Sequence, residues 1–192
     1  GVGTKAANAL SSYFRICSIR DGKSKVVEFN QGNIVSDEPI QASSARKGTK
    51  VSFIPDEELF GKYHFLEEYV EKMLWNYCYL NTGLTMMFNG NKFYSERGLY
   101  DLLSKNIDSA PLYPIIHLGS DDIEVAITHC ANQYSEQYYS FVNGQHTVQG
   151  GTHQGAFRQG LVKTIREFYG KNYDAADIRQ AINAAISVKI IE

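Results

Sequence analysis

Gly1-Val2-Gly3-Thr4-Lys5 is the first stretch of the chain that could hold an anion. Glycine lets a phosphate approach the backbone. The alanine-rich run that follows predicts a helix, whose first N–H groups are unpaired and whose N-terminus is partly positive. The spacing is neither GxGxxG nor GxxxxGK[ST], and a plain helix start explains the same residues. Lys47-Gly48-Thr49 precedes an alternating run. A threonine hydroxyl at a strand edge can bond a base or a bound water; a turn followed by a β-branched strand residue accounts for it equally. Gly150-Gly151-Thr152-His153 offers a sharp loop, an N-cap at Thr152 and a histidine at the head of a helix, which turn and capping chemistry also explains. His64, His117, His129, His146 and His153 have no Cys or acidic partner at metal-ligand spacing, so no histidine metal site is expected. A Ser/His/Asp arrangement has nothing to locate it.

These residues need elements to hold them. After the first helix, residues 13–32 predict a hairpin around Asp21-Gly22, a dipeptide suited to a tight turn. Residues 33–48 begin as a strand and become a polar loop, and 49–56 predict a strand. Over 64–80, Leu66, Tyr69, Val70, Met73, Leu74 and Tyr77 recur at helical spacing. Residues 81–98 predict a second hairpin around Asn89-Gly90, followed by a short helix near 96–105. Three strands are expected in 113–144, and a glycine-rich loop over 143–153. A long helix follows, with Phe157, Leu161, Val162, Ile165 and Phe168 on its core face. Arg158, about 100° round the helix from Phe157, is expected to leave that face. Asp174 predicts the cap of a short helix in 173–182, and 184–191 predict a last strand. Both halves read as α+β, divided near Leu80.

The chain has 192 residues, 43% hydrophobic and 21% charged, with a net charge of −2, which leaves no global basic field to attract nucleic acid. A local basic lining remains compatible with that balance. Cys17, Cys78 and Cys130 are widely spaced with no CxxC pair. Buried thiols in a reducing compartment are therefore expected. No run approaches the roughly 20 apolar residues of a membrane helix, and no signal peptide opens the chain, so the expectation is a cytoplasmic protein without a membrane partner.

The order of the weak motifs carries more than each alone. GVG opening an "NALS" helix, then "KGT", "LNTG", "FVNG…GGTH" with Phe157-Arg158, "DIR" and "SVK" strongly resembles the ATPase region of bacterial type IIA topoisomerase B subunits, those of DNA gyrase and topoisomerase IV. The resemblance covers essentially the whole chain. It implies that residues 1–80 are the C-terminal half of a GHKL (Bergerat-fold) ATPase domain and that 81–192 are a transducer domain of ribosomal-protein-like α+β fold. It implies ATP-binding roles for Gly1, Val2, Gly3, Thr4, Lys5 and Thr49, and a DNA-facing role for Arg158. ATP and Mg2+ are the implied cofactors of the whole enzyme. DNA, a topoisomerase A subunit and a second copy of the ATPase region are its implied partners.

The family's catalytic glutamate, metal-holding asparagine and adenine-binding aspartate would lie before Gly1, and its transducer lysine beyond Glu192. No catalytic residue or metal ligand is therefore assigned within the chain. After "DIR" the family usually continues Glu-Gly, where this chain has Gln180-Ala181; before GGTH an acidic residue is usual, where it has Gln149. Two alternatives stay open: another GHKL ATPase of mismatch-repair or chaperone type, and an interaction module in which GVG is only a cap.

Overall fold

The computed structural model describes residues 2–191, which form two compact units, Gly1–Phe65 and Leu66–Glu192. Gly1 lies outside the described residues.

In the first unit, helix α1 (Gly3–Ala9) packs on strands β1 (Ser11–Arg20), β2 (Lys23–Asn30) and β5 (Gly48–Pro55). Strand β3 (Asn33–Asp37) completes an antiparallel sheet of order β3-β2-β1-β5, and the short β4 (Gln41–Ala42) also pairs with β2. The Asp21-Gly22 hairpin forms as its turn residues predict. Phe14 is 1% exposed and anchors the core, with the rings of Phe29 and Phe53 each 6.2 Å away. Helix α2 (Glu57–Phe60) was not expected from the sequence, yet its signal is present. Asp56 accepts a hydrogen bond from the Glu58 N–H, and Glu57 and Glu58 favour the positive helix end.

The second unit begins with α3 (Glu67–Leu80) and the hairpin β6 (Thr85–Phe88)–β7 (Asn91–Tyr94). Helix α4 (Leu99–Asn106) precedes β8 (Ile116–Gly119), β9 (Ile123–His129), β10 (Gln137–Val142) and β11 (Gln145–His146). Helices α5 (Thr152–Tyr169) and α6 (Ala175–Arg179) lead to β12 (Ile182–Val188). The sheet order is β11-β10-β12-β9-β8, with only β10 and β12 parallel, so α5 and α6 form the crossover between them. Strand β12 is buried on both faces, which is why it reads as an apolar run. Ala185, beside Ala126, packs toward Leu99, Leu102, Leu103 and Tyr79; Ile182 and Ala184, with Ile127, pack toward Phe157 and Leu161.

The division between units falls at Phe65/Leu66 rather than near Leu80. Helix α3 buries Cys78 and Tyr79 in the second unit, and Trp75 stacks on Tyr79 at 5.4 Å and lies 5.2 Å from Phe93. Its buried side differs from the expected stripe: Leu66, Tyr69, Met73 and Tyr77 are exposed, while Trp75, Cys78 and Tyr79 face inward. Phe168 is 80% exposed and does not join the core face of α5. Cys17 is half-buried, whereas Cys78 and Cys130 are buried and burial pushes both thiols up; all three are free.

Gly98 enters α4 at φ +56°, a conformation that side chains resist. A Cβ there would lie 3.0 Å from both the Tyr79 carbonyl oxygen and Glu124 Oε1, and 3.1 Å from Thr82 Cγ2. Gly98→Ala is expected to destabilise the chain by about 2 kcal/mol or more, measured by urea unfolding.

Candidate functional site

The start of α1 has room for an anion. Val2, Gly3, Thr4 and Lys5 are exposed, a Cβ on Gly3 would meet nothing within 4 Å, and the first turn holds no acidic residue. Val2 occupies the N-cap position without a side-chain cap, so the first N–H groups are left to solvent or a ligand. Thr49 is exposed near the start of β5, a strand paired on one side only, opposite Ser18 of β1. The unit also holds an apolar cavity of about 180 Å³, walled by Phe53, Phe60, Tyr63 and Phe65 beside Ala7 and Leu10; it is lined neither by residues 2–5 nor by Thr49. Among the described residues, no cluster of three His, Cys, Asp or Glu side chains is placed to hold a metal ion.

Arg158 does not leave the packed face of α5. It stands one turn before buried Val162, and four residues apart means the same face. Its guanidinium Nη2 donates to Glu136 Oε1 at 2.8 Å, and Arg179 Nε donates to the same oxygen at 3.0 Å. Tyr138 Oη donates to Glu136 Oε2 at 2.7 Å. Burial alone would raise the Glu136 carboxyl, but the bonds from Arg158, Tyr138 and Arg179 outweigh it and hold the group below its ordinary range. Glu136 stands just before β10 and Arg179 at the end of α6, before β12. Parallel pairing, with Gln137 opposite Asn183, brings those two strand starts to one end of the sheet. Glu136 and Arg179 were not singled out from the sequence. Their pairing spans 43 residues, and no local spacing signals it.

The GGTH segment proves to be loop and capping structure. Gly150 and Gly151 have φ +81° and +143°, and a Cβ on Gly151 would lie 2.9 Å from the His153 ring. Gly151, not Thr152, is the N-cap, and Thr152 is the first helical residue. Ser140 Oγ lies 2.6 Å from Thr147 Oγ1 and donates to Gln154 Oε1 at 3.2 Å, which ties the loop back to β10. Burial lowers the His153 ring below its ordinary value. The departure at "DIR" also has a structural consequence. Ala181 sits at φ +63°, so an alanine holds a left-handed position that suits the glycine usual in the family, at a strain of about 1–2 kcal/mol.

A model of the DNA gyrase B family matches residues 65–192, which is the second unit and its lead-in. The chain belongs to the DNA gyrase B family. It is 45% identical over 99% of its length to the B subunit of DNA topoisomerase 4 from Borreliella burgdorferi, covering 32% of that protein. Against the DNA gyrase B subunit of the same organism the identity is 30% over the whole chain, covering 34% of that protein. The chain thus spans about a third of the length of these gyrase B family relatives. Its α+β fold matches the 43K ATPase domain of Thermus thermophilus gyrase B, crystallised with an aminocoumarin, at a TM-score of 0.80 and 25% identity; 100% of this chain and 58% of that one are covered. The topoisomerase IV ATP-binding domain of Francisella tularensis shares the fold at a TM-score of 0.73 and 23% identity, covering 96% of this chain and 56% of that one.

Proposed function

We propose that the chain is part of the B subunit of an ATP-dependent type IIA DNA topoisomerase, of the topoisomerase IV kind. The observation that carries this is the contrast within one organism: 45% identity to the topoisomerase 4 B subunit against 30% to the gyrase B subunit. In this reading residues up to about 65 supply the C-terminal half of a GHKL ATPase domain, and a transducer follows, beginning with α3. The open start of α1, at Val2, Gly3, Thr4 and Lys5 with Gly1 before it, borders the triphosphate, and the Thr49 hydroxyl serves the adenine side.

ATP, when bound, supplies the phosphoryl transfer that drives the cycle. This chain's own groups bind and orient: backbone N–H groups at the head of α1 and one hydroxyl on β5. Mg2+ belongs to the whole enzyme, and no residue here is assigned to it. Contacts to nucleotide favour a closed dimer of ATPase regions, and their loss on hydrolysis releases it. DNA and a topoisomerase A subunit are the partners, and the cytoplasm is the compartment. No helix among the described residues is long and apolar enough to cross a membrane.

Arg158 is the DNA-facing residue of the proposal. Its charge is only partly used by Glu136, because Arg179 shares the same oxygen. In the intact enzyme, Arg158→Gln is expected to lower DNA stimulation of ATP turnover while leaving unstimulated turnover nearly intact. Equal loss of both would refute the role.

A further inference from the structure

We propose that Arg179 works with Arg158 as a fork for one backbone phosphate of duplex DNA, with Glu136 as the positioning residue that sets the two guanidinium groups side by side. The proposal rests on the reading of Arg158 as DNA-facing.

Both arginines end on one carboxylate oxygen, Glu136 Oε1, at 2.8 and 3.0 Å. The other oxygen is taken by Tyr138. Two positive charges thus share one negative charge, and the cluster keeps a net positive charge that a purely structural ion pair would not need. The carboxylate engages Arg179 through Nε, which leaves the two terminal nitrogens with no hydrogen bond to a described residue. Neither is among the buried unpartnered atoms, and the side chain keeps a fifth of its surface exposed. That free edge offers parallel N–H groups at the spacing of phosphate oxygens. The Arg179 side chain is only 21% exposed, so its stem is packed and its head is held ready. Beside it runs a groove of about 350 Å³ between α5 and α6, to which Lys163 and Arg166 add positive charge and Glu167 one negative charge. A polyanion suits this surface, and the regular phosphates of duplex DNA are the form that the DNA-acting relatives imply.

The test is binding of a fluorescein-labelled DNA duplex to the intact subunit across a salt series. Arg158→Gln, Arg179→Gln and the double variant are compared with wild type. Losing one phosphate contact lowers the slope of log K against log salt by about 1. Each single variant is expected to lose affinity while its slope falls by less than about 1, and the double to lose about 1, because the two arginines serve one phosphate. A double loss of about 2 assigns them to separate phosphates and overturns the fork. An unchanged slope and affinity in Arg179→Gln, with a loss in Arg158→Gln, overturns the role of Arg179 and leaves Arg158 standing. An unchanged slope and affinity in the double variant remove the DNA-facing reading itself. Arg179→Lys keeps the charge and answers the question should Arg179→Gln fail to fold. Its slope is expected to hold while affinity drops, since lysine cannot make the two-pronged contact; wild-type affinity in Arg179→Lys would contradict the fork.

Discussion

Replacing Glu136 with alanine is expected to destabilise the chain by about 2–4 kcal/mol, read by urea unfolding. The change strands two arginines and a tyrosine hydroxyl that now converge on one largely buried carboxylate. Removing one partner of a buried ion pair costs about 3–5 kcal/mol, and partial exposure of Arg158 moderates it here. Arg158 Nε is already buried without a partner, so the side chain has little room to find a new one. A loss under about 1 kcal/mol would mean that the cluster relaxes into solvent and does not fix the end of the sheet.

The same carboxylate sets a pH dependence. The folded-state value of Glu136 is lowered, and so is that of Asp101, where bonds from the Arg97 and Glu96 N–H groups and Ser95 Oγ outweigh the upward push of burial. A lowered carboxyl adds stability that is complete above its unfolded value, near pH 4, and fades as pH falls through the folded value. Stability should therefore hold from neutral pH to about 5 and fall below about 4. Glu136→Gln should flatten that fall, and an unchanged acid limb in Glu136→Gln would contradict the assignment.

The second large effect concerns catalysis. The 192-residue chain alone is expected to show no ATP turnover and no nucleotide affinity tighter than about 1 mM, which corresponds to roughly 4 kcal/mol of binding. Hydrolysis needs a group to orient water and a metal ion to offset developing charge. Among the described residues the head of α1 has no acidic group in its first turn, and no cluster is placed to hold a metal. In the proposed reading, one short helix start and the Thr49 hydroxyl are the groups of this chain that meet the nucleotide, too few to hold it tightly. Turnover by the chain, abolished by changing a residue within it, would show that the catalytic groups lie inside it.

Much of this fold was legible because its signals are local. Asp21-Gly22 and Asn89-Gly90 each sit between β-rich runs, and both form hairpin turns. Asp174 caps α6 through the Ala176 N–H, as its position predicts. The face of α3 was not legible, since apolar residues surround that helix: Tyr69, Met73 and Tyr77 follow a helical stripe as regular as that of Trp75, Cys78 and Tyr79. Packing against Leu102 and Phe93 decides between them. For Arg158, comparison with Phe157 alone suggested an outward side chain, whereas comparison with Val162 places it inward. What the sequence offers for the candidate site is an ordered series of motifs and not a cluster. Glu136 meets Arg158 and Arg179 across 22 and 43 residues, through a crossover that no short pattern encodes.

The central proposal is that this chain is part of a topoisomerase IV-type B subunit that, when intact, couples ATP to the passage of DNA. Unlinking of catenated DNA circles by the intact protein, assembled with its A subunit, tests it most directly. The account predicts unlinking only with ATP, slowed in Arg158→Gln while DNA-independent ATP turnover persists. Absence of ATP-dependent unlinking by the wild-type assembly, or unlinking at full rate in Arg158→Gln, would contradict it.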